Sequence, residues 1–212
     1  SAEATWVYDV STQLWHERAA FENGQFVRHR SNCQMSYNDE IVVGDYEDGR
    51  VYAFDLDVYA DDNQIQKWLR SWRALPAGQN NLKRTAHHSL QLDAETGVGL
   101  AQTPGYDAEK LLTEAGLYIT TEAGDYLTTT SYLPTPGYDP QVMLRWSDDA
   151  GHTWSNEHWN SMGQIGAYGT RTIWRRLGMT EKIRDRVYEV SGTDAVKIAI
   201  MGAELFVTPT SS

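Results

Sequence analysis

The residues best spaced to act together form the run Ser147-Asp148-Asp149-Ala150-Gly151-His152-Thr153-Trp154. Ser147 and Asp149 can bond to turn backbone groups. Gly151 supplies a positive φ, and Thr153 and Trp154 open the return strand, with the Trp154 ring able to pack under the turn. Side chains held by their own turn are not free for chemistry, so the run reads as structural. The remaining reactive residue types do not assemble into a site. Arg171, Arg175 and Arg176 are close together on one expected strand, and no pair of carboxylates can be placed across a substrate. His87 and His88 are adjacent and therefore point to opposite faces of a strand. His152 and His158 flank the Ser147–Trp154 run, and the Glu157-His158 pair has neither an HExxH context nor a cysteine partner. Cys33 has no base beside it, and there is no GxSxG, P-loop or GxGxxG. The acidic run Asp45-Tyr46-Glu47-Asp48-Gly49 lacks the length and closing Glu of an EF-hand and reads as a solvated hairpin tip. The expectation is a protein that is not an enzyme, with no metal and no cofactor.

The elements that position these residues read as strands. Residues 1–75 alternate short strands with polar turns. Residues 5–10 return through 14–18 across Ser11-Thr12-Gln13, and residues 40–45 return through 50–55 across a turn containing Glu47-Asp48-Gly49. An Asp-Gly between β-branched or aromatic runs is a hairpin signal. Repeated strand–turn–strand units with Trp, Tyr and Asp near the turns read as blades of a β-propeller, and one to two fit here. In residues 65–75 the spacing of Trp68, Leu69, Trp72 and Leu75 permits a short helix, with a strand as the competing reading. Residues 76–81, Pro-Ala-Gly-Gln-Asn-Asn, form the linker candidate.

From residue 84 to 207 the pattern is an antiparallel β-sandwich of about seven strands. Leu90 and Leu92 alternate with Gln91 and Asp93. Val142, Leu144 and Trp146 alternate with Gln141, Met143 and Arg145, and Val196, Ile198 and Ile200 with Lys197, Ala199 and Met201. The fold class is thus all-β: propeller-like blade strands over 1–75, then a sandwich over 76–212. An inserted arm spans about 103–139. It is bracketed by two copies of Thr-Pro-Gly-Tyr-Asp, at 103–107 and 135–139, and holds a short helix over 108–115 and a hairpin pairing 117–121 with 126–130.

Composition bounds the function. At 212 residues the chain holds one or two domains. Its 18 Lys and Arg against 29 Asp and Glu give a net charge of −11, which argues against a general nucleic-acid or anionic-membrane binder. One cysteine excludes an intramolecular disulfide framework, and no apolar run reaches the ~18 residues of a membrane span. Eight Trp and 12 Tyr against four Phe suit β-folds with wet faces and interfaces. Charge is uneven: residues 39–62 hold nine Asp or Glu and one Arg, residues 170–190 six Lys or Arg and three Asp or Glu. Opposite blocks on one chain can meet head to tail in a ring. No targeting segment is visible, and the abrupt start inside a strand-like run leads to the expectation of a fragment or a processed chain.

Two resemblances attach to quoted residues. Ser147-x-Asp149-x-Gly151-x-Thr153-Trp154 resembles the Asp-box of sialidase-like propellers. The longer stretch 139–159, followed by Met162-Gly163-Gln164-Ile165-Gly166, Thr170-Arg171, residues 173–178 and Asp185-Arg186-Val187, resembles the packaged-DNA stabilisation proteins of short-tailed bacteriophages, also called tail accessory factors or tail hub proteins. Residues 92–99, 6–9 and 15–18 carry the same resemblance upstream. It implies a structural, multimeric virion protein of the phage tail that sits under the portal and its adaptor ring, near the tail needle and other tail proteins, and helps retain packaged DNA. Family members are longer, which implies a C-terminal half. The expected partners are those tail proteins and further copies of the chain, with no sequence-specific nucleic acid. Under this reading the acidic block faces the DNA channel or solvent. Trp159, Tyr168, Arg175 and Arg176 are then candidate subunit contacts, because these residue types dominate interface hot spots. The alternative is a glycan-binding or sialidase-like Asp-box protein of a phage tail.

Overall fold

A computed structural model describes residues 4–62, 64–74, 84–101, 111–114, 116–122, 124, 127, 136–181 and 186–210. These are built from strands and turns, with no helix among them. Strand β1 (Thr5–Asp9) returns through β2 (Leu14–Glu22), with Asp9 opposite Leu14. The Asp9 carboxylate holds this turn. It accepts the Ser11 N–H at 2.8 Å and the hydroxyls of Ser11 and Thr12 at 2.7 and 2.8 Å, and these bonds lower its pKa to about 2. The second half of β2 pairs with β3 (Gln25–Arg28) across Asn23-Gly24, both at positive φ as a two-residue hairpin turn requires. Strands β4 (Ser31–Tyr37), β5 (Glu40–Asp45) and β6 (Val51–Phe54) form a second three-stranded meander, turned at Asn38-Asp39 with φ of 50° and 64°. Both hairpins expected in this half are present, while the Asn-Gly and Asn-Asp turns between them were not anticipated. Polar contacts join the two meanders: Arg30 pairs with Glu22 at 2.7 Å and Asp45 at 3.5 Å, and Arg18 lies over the Phe54 ring at 4.6 Å.

Seven further strands form two facing antiparallel sheets. One runs β10 (His158–Ser161), β9 (Gln141–Ser147), β12 (Val187–Gly192), β7 (Trp68–Arg73); the other runs β11 (Thr172–Met179), β8 (Thr85–Ala94), β13 (Ile200–Pro209). A single apolar cluster fills the space between them. Leu90 and Leu92 meet Val142, Leu144, Tyr188 and Val190 there, with Met162, Trp174 and Leu177 closing the layer. Full burial of each such side chain stabilises the fold by about 1.5–3 kcal/mol, so this layer dominates the energetics. Among the described residues of the first half only Ala20 and Val43 are comparably buried apolar side chains.

Several expectations are corrected. Of the two readings of residues 65–75 the strand holds: residues 68–73 form β7, which pairs with β12 from Trp68↔Gly192 to Arg73↔Val187. This pairing carries a segment that the sequence grouped with the blade-like stretch into the sheet of the later half. Residues 196–199 are not a strand. Asp194 turns the chain there, its carboxylate accepting the Gln141 N–H at 2.8 Å and its carbonyl the Val196 N–H at 2.9 Å, and β13 starts only at Ile200. Met143, expected to face outward, is buried because β9 is an inner strand whose outer face is covered too. On that face the Arg145 guanidinium lies over the Trp154 ring at 4.7 Å. Within the arm, residues 111–114 are not helical. Leu112 bridges Tyr118, and Gly116 at φ 77° turns the chain back. The Leu127 N–H reaches Ile119 O at 2.9 Å, while the Leu111 N–H reaches Leu127 O at 2.8 Å and the Ile119 N–H reaches Leu111 O at 2.9 Å. Residues 126 and 128–130 of the expected hairpin, the first Thr-Pro-Gly-Tyr-Asp copy and the linker at 76–81 lie outside the described residues.

Candidate assembly surface

The turn after β9 gathers Ser147, Asp149, Gly151, Thr153 and Trp154 into one unit. Ser147 Oγ is buried, donates to Asp149 Oδ1 at 2.6 Å, and accepts the N–H groups of Asp149 at 3.3 Å and Gly151 at 2.8 Å. The Asp149 carboxylate accepts the Thr153 N–H at 2.8 Å and the Thr153 hydroxyl at 2.6 Å. These bonds, the Ser147 hydroxyl first, hold the Asp149 carboxyl well below the usual carboxylate range. Gly151 adopts φ 96°, and a Cβ there would sit 3.8 Å from Trp154 Cζ2, so the ring rests beside the turn.

Asp148, the other carboxylate of the turn, reaches across the fold. It accepts from Arg186 Nε and Nη2 at 2.8 Å each, and Arg186 is only 2% exposed. The same guanidinium donates to the carbonyls of Leu177 and Met179 on β11. A buried arginine satisfied on both sides locks the turn to that strand, a role that its sequence context did not single out. Beside it, buried His87 bonds through Nδ1 to the Tyr188 hydroxyl at 2.8 Å and through Nε2 to Thr85 Oγ1 at 3.0 Å. His88 points outward to Thr208, as adjacency on a strand requires. His158 stacks on Trp146 at 4.8 Å, on the side of the turn facing β10.

The locked strand is irregular where Arg186 grips it. The β11–β8 register breaks between Arg175 and Gly178. Arg176 takes φ 60° and Gly178 φ 79°, while Leu177 between them is buried. A left-handed conformation costs a non-glycine residue about 1–2 kcal/mol. The break lets two consecutive arginines, 175 and 176, both face solvent, which regular alternation forbids. Strand β10 is laced to β11 by three bonds: Asn160 Nδ2 to Ile173 O, Thr172 Oγ1 to Ser161 O, and Trp174 Nε1 to His158 O. Trp159, 59% exposed, thus stands on the strand neighbouring the arginines. Tyr168, 78% exposed, sits apart in the loop joining β10 to β11. There Thr96 Oγ1 donates to its carbonyl at 3.1 Å, and its ring closes over Gly97. The structure therefore brings Trp159, Arg175 and Arg176 onto adjacent strands and sets Tyr168 on the connecting loop.

The acidic block is partly used internally. Asp45 pairs with Arg30, and Asp48 and Asp62 pair with Arg50. Beyond β6, residues 55–58 form an exposed turn in which the Asp57 N–H bonds to Asp55 Oδ1 at 2.8 Å. Leu56 at its tip is 92% exposed.

Residues 106–208, just under half of the chain, match the family model described as bacteriophage P22 Gp10, beta-sandwich. Strands β7 and β8 of the sandwich lie before the matched region, and the turn, the bulged strand and the interstrand arginine all lie within it. A comparison with curated proteins found no match. With the all-β architecture, the family match makes this a structural protein of the bacteriophage virion, which is where it resides.

Proposed function

We propose that the chain is a tail hub component of a short-tailed phage. It attaches below the portal and adaptor, repeats around the tail axis, and helps retain packaged DNA without catalysing a reaction. The match of residues 106–208 to the P22 Gp10 sandwich carries this reading. Supporting it, the turn at 147–154 bonds as an Asp-box would, with the side chains of Ser147, Asp149 and Thr153 engaged by backbone or by each other. The two three-stranded meanders of the first half are blade-like units that supply further flat contact surface. A net charge of −11 suits a wall along which DNA slides, because carboxylates repel phosphates.

Co-sedimentation of the chain with empty phage heads, carrying or lacking the adaptor ring, tests the proposal. Saturable binding to adaptor-bearing heads only is expected, with negligible affinity for free DNA at physiological salt. Equal binding to both kinds of head, or binding to neither, would overturn it.

A further inference from the structure

Most arginines in the described structure are engaged within the chain. Arg30, Arg50, Arg145 and Arg186 form ion pairs, and Arg18 and Arg28 lie over the rings of Phe54 and Tyr46. Arg175 and Arg176, like Arg70, Arg84 and Arg171, make no ion pair among the described residues, although the chain carries an excess of 11 negative charges; what sets them apart is the strand that carries them. A register break and a left-handed backbone at Arg176 put both on the surface together. Backbone strain kept at a surface arginine points to use of its side chain, since glycine would adopt this conformation without penalty. Met179, exposed, lies on the same strand, and exposed Trp159 lies on neighbouring β10.

The complementary feature lies on the same chain. Within the acidic block, Asp45, Asp48 and Asp62 are ion-paired, and Glu47 accepts the Tyr46 hydroxyl. Asp39, Glu40 and Asp61 form no ion pair among the described residues, and neither do Asp55 and Asp57, the second of which lies in the field of Lys197, itself paired with Glu95. Asp55 and Asp57 bracket Leu56 and precede Val58, both exposed, so the turn at 55–58 is an apolar knob between two negative charges. Two arginines, with Met179 exposed on their strand, match that pattern in charge and in polarity. No ion pair joins the two surfaces among the described residues.

We infer that the β11 bulge, through Arg175 and Arg176, receives the 55–58 knob of a second copy of this chain. Because the two surfaces differ, the contact is heterologous and propagates head to tail, closing into a ring when the rotation per subunit allows. Guanidinium–carboxylate pairs across such a contact steer encounter and fix register, and salt weakens them. The inference deepens the hub reading and rests on it for a chain repeated in the virion.

Sedimentation velocity of the full chain over a concentration series tests the contact. The wild-type chain is expected to self-associate, about tenfold more weakly at high than at low salt. R175E/R176E and D55R/D57R are each expected to sediment as monomers. Their equimolar mixture is expected to regain association, because each reversed surface then finds a reversed partner. R176G, which relieves the left-handed strain, guards against misfolding as the explanation. It should keep or raise the melting temperature and still weaken association. A wild-type chain that stays monomeric, a double variant that associates like wild type, or a mixture that stays monomeric would overturn the contact. A failed swap with intact binding to heads rejects only this interface. A successful swap without head binding rejects only the hub.

Discussion

Replacing His87 by Gln should remove most of the acid sensitivity of the sandwich above pH 4. The ring is 2% exposed, and burial, followed by the positive charge of Arg186, pushes its pKa down from 6.5 to about 4. A neutral imidazole offers one donor and one acceptor, which the hydroxyls of Tyr188 and Thr85 satisfy. Because the native pKa lies below the unfolded one, the unfolded chain binds the proton first as pH falls. The His87 contribution is therefore complete above pH 6.5 and is lost progressively down to about pH 4. A shift of about 2.5 units corresponds to about 3 kcal/mol, of which about 2.5 is already lost at about pH 4.5. The carboxylates of Asp9 and Asp149 are held below their ordinary 3.8, so their contributions are lost only at lower pH. His29 is shifted down as well, by burial first, and affects wild type and variant alike. Urea unfolding of wild type and His87→Gln across this range isolates the difference. The variant should start less stable at neutral pH and then lose much less. Parallel losses in the two proteins would refute the argument.

Three further substitutions probe the supports of the surface. Ser147→Ala leaves the Gly151 N–H without its acceptor and should cost about 1–2 kcal/mol in urea unfolding. Arg186→Met strands the Asp148 carboxylate and two β11 carbonyls, and should cost about 3–5 kcal/mol, read as a lowered urea midpoint. Gly192→Ala sets a Cβ 2.6 Å from Trp68 Nε1 in the β7–β12 pair, so a loss of about 1–3 kcal/mol and a red-shifted tryptophan emission are expected.

What could be read from the sequence depended on how local its cause was. The hairpins around 11–13 and 46–49 were legible because their turn chemistry lies within a few residues, and so was the bonding of Ser147 and Asp149. Leu90 and Leu92 were legible as core by alternation. The β7 segment was ambiguous for a geometric reason: Trp68 and Trp72 are four apart, and that spacing shares a face in a helix and in a strand alike. Only its partner β12, more than a hundred residues later, decides the matter. The β11 bulge was hidden because Arg175 and Arg176 break alternation, and pairing with β8 reveals why. Arg186 was hidden because Asp148 lies 38 residues away and its other partners, two backbone carbonyls of β11, carry no side-chain signal.

The pairing of β7 with β12 also bears on how phages exchange parts. A recombination joint is easiest to imagine at 76–81, whose sequence Pro-Ala-Gly-Gln-Asn-Asn has the composition of a linker. A joint there would separate Trp68–Arg73 from the sheet it completes, leaving one edge of β12 bare and Tyr188 without the neighbouring Trp72 ring. The heritable unit of this sandwich therefore opens at or before Trp68. Chimeras joined upstream of it should inherit a closed sheet, and those joined downstream must bring a matching strand from the other parent.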